Sequence, residues 1–219
     1  MNAESRSVLC FSLLILLEAA ALGQQAPATV SFTLEFVGSN PSHYEIQVAS
    51  DGQGSYSSNG RIDEHSEAVD GGAEEFRISD TLRERIFDLA RRAHYFSGKV
   101  DAGKKNIANT GTKTLAYKDA THDSKATYNY SGQQPIEQLT VLFQGLSTTL
   151  EYGRRLAYFH KYEKLALDNE LKKMEELQRG NNLPDVKAVA PQLTQIVNDT
   201  SVMNVSRARA QRLLASQTK

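Results

Sequence analysis

Tryptophan is absent from this 219-residue chain, and its one cysteine stands at position 10. A lone thiol excludes a disulfide scaffold. Charge of either sign is also lacking in excess: Lys plus Arg is 25, Asp plus Glu is 26, and the net charge is −1. No field therefore draws the chain to nucleic acid or anionic lipid, and a strongly basic nucleic-acid binder is excluded. No apolar run approaches the roughly 20 residues of a spanning helix, which excludes a polytopic membrane protein. What remains is an ordinary globular composition, 40% apolar and 23% charged, long enough for one domain with an extension or two small ones.

The longest apolar stretch, Val8 to Leu17, has the length of a signal-peptide core. Arg6 precedes it, and small residues at Ala19, Ala21 and Gly23 suit a cleavage site. Residues 1–23 read as an export signal, with the mature chain beginning at or near Gln24 and keeping no stable membrane span. Cleavage removes Cys10 and leaves 24 basic and 24 acidic residues. An exported chain without thiols is held by its core alone, which points to a bacterial periplasm or the extracellular space.

Residues 24–134 read as a strand-rich α+β part. Val30, Phe32, Leu34 and Phe36 alternate with polar residues, and Tyr44, Ile46 and Val48 repeat the pattern. Asp51-Gly52 and Asn59-Gly60 supply turn chemistry, because Gly, Asn and Asp tolerate positive φ. A meander over 29 to about 62 follows. Six acids in 63–75 read as a solvated loop, since the calcium-loop order D-x-[DN]-x-[DN]-G is missing. Phe76 and Ile78 read as a short strand end. A helix follows, capped by Asp80 or Thr81 with Glu84 as capping-box partner. Its apolar stripe is Leu82, Ile86, Leu89, Ala90 and Ala93, and Tyr95-Phe96 and Gly98 end it. Thr112 to Lys118 and the Ala126, Tyr128, Tyr130 series give two more strands. The fold class expected is α+β: an antiparallel sheet of five or six strands packed on helices, then a long helix and a helical C-terminal extension.

Pro135 opens the long helix, 135–180, which meets no strong stop before Gly180. Unbroken, it would be about 67 Å long. It either bends, with Gly153 as the weak point, or projects as an arm. Residues 181–219 read as a helical pair folding back on it. Within it, Pro191 through Leu214 also resembles one HEAT-type repeat, which does not bury its faces singly.

Gly98-Lys-Val-Asp-Ala-Gly103-Lys104-Lys105 matches the start of a phosphate-binding loop. That loop works between a buried strand and a helix N-terminus, whereas here a helix precedes and a strand follows. Lys99, Lys104, Lys105 and Lys113 read instead as a basic patch on a solvated loop. The five histidines show no H-x-H or H-E-x-x-H pairing, and no G-x-S-x-G elbow is present. No catalytic, cofactor-binding or metal-binding residue is assigned. The most informative surface lies on the long helix. Tyr152, Arg155, Phe159 and Tyr162 share one face, and Tyr and Arg are residues from which interfaces are built. They are the candidate surface for a protein partner or a homodimer, or else the helix's own cover for the sheet.

The order Tyr44-x-Ile46-x-Val48, Asp51-Gly52-x-Gly54-x-Tyr56, Leu82 through Ala93 with Tyr95-Phe96, Thr110 through Tyr117, Tyr128-x-Tyr130 and Pro135 resembles a family of exported bacterial proteins of unknown function. That family is similar in turn to a small secreted domain, over about residues 29–160. The shared motifs are turns, strand aromatics and caps, so the resemblance implies a fold and no active site. The functional expectation is a non-catalytic binding module of the envelope or extracellular space. The alternatives are a hydrolase of envelope polymers and a small-ligand carrier with a pocket between sheet and helix.

Overall fold

The computed structural model describes residues 26–62, 73–104 and 106–216. The export signal with Cys10 and the cut near Gln24, the acids of 63–72, and Lys105 lie outside the described residues.

Strict alternation makes the sheet. The strands are β1 (Thr29–Glu35), β2 (His43–Ala49), β3 (Gln53–Ser58), β4 (Glu74–Arg77), β5 (Thr112–Lys118) and β6 (Asp123–Tyr128). They form one antiparallel sheet in the order β4-β3-β2-β1-β5-β6. The α+β class expected from the sequence is therefore the observed one. Val30, Phe32 and Leu34, with Tyr44, Ile46 and Val48, turn to the buried face. Thr29, Ser31, Thr33, Glu45 and Gln47 turn to the other, which is polar. The Asp51-Gly52 turn forms as expected, with Gly52 at φ +84° and Asp51 Oδ1 accepting from Gln53 N. Asn59-Gly60 makes no hairpin. Glu74 and Glu75, expected in the acidic loop, pair with β3 as part of β4.

Two helices cover the inner face. Helix α1 (Asp80–Arg92) buries Leu82, Ile86, Leu89 and Ala90. Its cap is Ser79, one residue before the expected Asp80 or Thr81, because Ser79 holds the extended backbone a cap requires and its Oγ accepts from Leu82 N at 3.3 Å. Helix α2 (Gln134–Tyr162), opened by Pro135, lays Ile136, Leu139, Phe143 and Leu146 on the sheet, with the Phe143 ring stacked 5.3 Å from Phe32. Between α1 and β5, His94, Tyr95 and Phe96 all take positive φ, 51°, 52° and 65°. Left-handed backbone costs an L-residue about 1–2 kcal/mol. Burial of Phe96 opposes that cost, as does the Tyr95 ring packed 4.1 Å from His122 and 4.6 Å from Tyr117.

The long helical region neither bends at Gly153 nor projects. Helix α2 stops at Tyr162, Glu163 leaves helical backbone, a 3-10 turn spans Lys164–Ala166, and α3 (Leu167–Arg179) folds back. No Pro or Gly marks the break. A straight helix would leave Leu167, Leu171 and Met174 in water, and folding back buries all three, each worth about 1.5–3 kcal/mol. Gly153 serves packing instead: a Cβ there would stand 2.5 Å from Val189 Cγ1. Helices α4 (Ala190–Asn198) and α5 (Asn204–Ala215) close the structure, α4 against α2 and α5 against α3. Arg209 bonds Asp168 and Glu175 across the α3–α5 contact.

Candidate functional site

Three of the four residues singled out on α2, Tyr152, Arg155 and Phe159, line one cleft of about 810 Å³. The β1–β2 loop contributes Gly38, Ser39, Asn40 and Ser42; the chain after β3 contributes Asn59, Arg61 and Ile62; α3 contributes Glu170 and Lys173. The fourth residue, Tyr162, stands apart. It is 61% exposed at the end of α2, with its ring 5.0 Å from Tyr158 and Lys161 Nζ 4.9 Å above it.

The break after α2 creates this cleft, because it swings Glu170 and Lys173 opposite Arg155. Arg155 Nε donates to Glu170 Oε2 at 3.1 Å, and Lys173 Nζ donates to Oε1 at 2.9 Å. The Arg155 guanidinium lies 4.2 Å from the Tyr152 ring centre. One carboxylate and one ring thus hold two cations in place. The facing wall is fixed by amides. Asn59 Oδ1 accepts from Ser42 N and His43 N, its Nδ2 donates to Ser42 Oγ, and Asn40 Oδ1 accepts from Arg61 N.

Behind Gly60 lies a buried charged network that the sequence reading missed. Glu151, 4% exposed, accepts from Tyr56 Oη at 2.7 Å and Ser58 Oγ at 2.5 Å. Arg154 Nη1 donates to Glu151 Oε1 at 3.0 Å and to Ser58 Oγ at 2.6 Å, and its Nε faces Glu74 at 3.3 Å. Burial and the neighbouring Glu151 charge push the Tyr56 phenol well above its ordinary range. Burial also raises the Glu74 carboxyl, against the pull of Arg154. The signal was present in the sequence: Ser147, Glu151 and Arg154 continue the apolar stripe of α2 at helical spacing. Glu151 is enclosed, with all three of its neighbours satisfied, so the network fastens β3 to α2 and offers no carboxylate to a substrate.

Other chemistry-bearing groups are likewise engaged within the fold. Ser201 Oγ meets Lys164 Nζ at 2.5 Å, but both bond Asp199, whose carboxyl they and His160 hold well below its usual range. Lys164 is thus committed to the Asp199 carboxylate, and the cluster ties the α2–α3 turn to the segment after α4. In the 98–104 segment, Asp101 accepts from Gly103 N at 2.6 Å and from Asn129 N, beyond the loop, at 2.9 Å, so its carboxylate occupies a loop amide that a phosphate would need. Lys113 does not join the expected basic patch. It lies on the inner face of β5 with Leu115 and Tyr117, 3% exposed, because period 2 places it there. Its Nζ donates to the Thr110, Gly111 and Asn129 carbonyls and to Thr110 Oγ1.

Among the described residues, no group of three or more His, Cys, Asp or Glu side chains is placed to hold a metal ion, and no helix is long and apolar enough to cross a membrane. Compared with known proteins, the chain matches no family model and no curated protein.

Proposed function

We propose that this chain is an exported, non-catalytic binding module of a bacterial envelope or the extracellular space, and that the cleft between the sheet end and α2–α3 is its site. One observation carries the reading: the aromatic and cationic residues of α2 wall a cleft of small-molecule size, on a support already satisfied by its own hydrogen bonds. The alternative of a hydrolase acting on envelope polymers has less support, since the two best-buried carboxylates are both engaged: Asp185 accepts from Ser79 N and Lys187 N, and Glu151 is sealed behind Gly60.

Two measurements test this. N-terminal sequencing of the protein from envelope and culture fluid should begin at or near Gln24; Met1 on a cytosolic protein would count against export. Native mass spectrometry of the exported protein should find a non-protein mass that denaturation releases. A bare chain from every fraction would remove the binding reading.

A protein partner or a second copy is the other reading. It is favoured by Tyr162, 61% exposed, and Leu165, 80% exposed, at the α2–α3 corner. Sedimentation at rising concentration, with Tyr162→Ser as control, distinguishes it.

A further inference from the structure

We propose that the cleft is an anion site whose occupant is a ring-bearing small molecule with a carboxylate or phosphate, such as a uronate or a phosphorylated sugar. This rests on the reading of the cleft as a binding site and adds the class of ligand.

Charge is the first argument. The chain as a whole is at net −1, yet among the described residues the cleft gathers Arg61, Arg155 and Lys173 against one acid, Glu170. Opposing one carboxylate to three cations leaves these described lining residues with an excess of two positive charges in a concave wall, where the field is focused. Glu170 is itself shared between Arg155 and Lys173, so it positions both without neutralising both.

Geometry is the second. Arg155 is held at Nε by Glu170 and across its plane by Tyr152, at 3.1 Å and 4.2 Å. Among the described residues its guanidinium makes that one hydrogen bond, so the terminal N–H groups stay available as a fork. A planar fork fits the two oxygens of a carboxylate or phosphate. Because the ring and the carboxylate already fix the guanidinium, binding has little side-chain entropy left to remove.

Size and lining set the rest of the ligand. About 810 Å³ accommodates one or two rings rather than a bare ion, and Phe159 and Ile62 give a ring apolar contact beside the Ser39 and Ser42 hydroxyls.

Titration calorimetry on the exported chain tests this with digalacturonate, glucose 6-phosphate and neutral cellobiose. The expected result is saturable binding of at least one anion, with cellobiose weaker by about tenfold or more. Whether digalacturonate or glucose 6-phosphate binds identifies the anion as carboxylate or phosphate. Arg155→Lys keeps the charge and loses the fork, and should weaken the anion by about tenfold. Arg61→Gln changes an exposed side chain without threat to folding and should weaken it severalfold; thermal melts confirm both variants folded. Equal affinity for cellobiose, or anion binding unchanged in both variants, overturns the anion inference while leaving a binding protein. No binding of either anion at concentrations on the order of 10 mM overturns it as well. The adduct found or missed by native mass spectrometry then decides separately whether the cleft binds anything.

Discussion

Gly60 lies against the Glu151 carboxylate so closely that a Cβ would stand 2.7 Å from Oε2 and 3.0 Å from Cδ. The carboxylate has nowhere to retreat, since Tyr56, Ser58 and Arg154 hold its other oxygen. Gly60→Ala is therefore an overpacking change, expected to cost about 1–3 kcal/mol. Urea denaturation reads it directly. An unchanged midpoint would mean that the Glu151 side chain is free to move.

The pair formed by Glu151 and Arg154 makes a second prediction. Glu151→Ala leaves the buried Arg154 with the half-exposed Glu74 as its one acid among the described residues, and should cost about 3–5 kcal/mol. Removing both charges with Glu151→Leu and Arg154→Met should cost clearly less than the two single changes together. A double-mutant cycle by chemical denaturation measures the difference, and simple additivity would show that the two side chains are not coupled.

The sheet was legible because its signals are local. Alternation from Thr29 to Glu35 and from Thr112 to Lys118, and the Asp51-Gly52 turn, each depend on a few neighbouring residues. The same rule applied two residues before Leu115 on β5 places Lys113 inside, where charge alone suggests the surface. The end of α2 was not legible, because nothing in Tyr162-Glu-Lys-Leu breaks a helix. The break comes from partners distant in sequence: Leu167, Leu171 and Met174 find their core, Glu170 finds Arg155, and Lys164 finds Asp199. The candidate site was visible in part. Tyr152, Arg155 and Phe159 share a helical face that periodicity reveals. Only the fold-back brings Glu170 and Lys173 opposite them and leaves Tyr162 outside.

Lys104 is an exposed residue of the 98–104 segment, its Nζ 5.2 Å from the Tyr130 ring centre. Such an exposed cation–π contact is worth about 0.5–1 kcal/mol. Lys104→Ala should change the melting temperature only slightly, and neither protein should bind nucleoside triphosphate in equilibrium dialysis. Nucleotide binding lost on this change would restore the phosphate-loop reading that Asp101 now opposes.

Lys113 predicts a pH dependence. Burial draws its ammonium below the ordinary lysine range. Between that lowered value and the unfolded value of about 10.4, the unfolded chain binds more protons than the folded one, so stability contributed by this site rises with pH. Lys113→Met should lose about 1–3 kcal/mol at neutral pH, because the Thr110, Gly111 and Asn129 carbonyls lose their donor. The gap between wild type and variant should then widen as the pH is raised toward 10. A gap that stays constant or narrows in denaturation curves at pH 7 and pH 9.5 would place the Lys113 ammonium in water.

Gly153 supplies a test of sign. In an open helix, Gly→Ala stabilises by about 1 kcal/mol, and a hinge at this position would respond in that way. Here the Cβ would meet Val189 Cγ1 at 2.5 Å and Val189 Cβ at 3.3 Å, where the turn before α4 crosses α2. Gly153→Ala should therefore destabilise, by about 1–3 kcal/mol. Val189→Ala removes the opposing methyl groups and costs about 1 kcal/mol or more on its own as a cavity. Combined, the two changes should cost less than their separate effects suggest, because the new methyl group fills the space that the valine leaves. Stabilisation by Gly153→Ala alone would mean that α2 and the 186–189 turn do not make this contact, and that the helix is free to bend at Gly153.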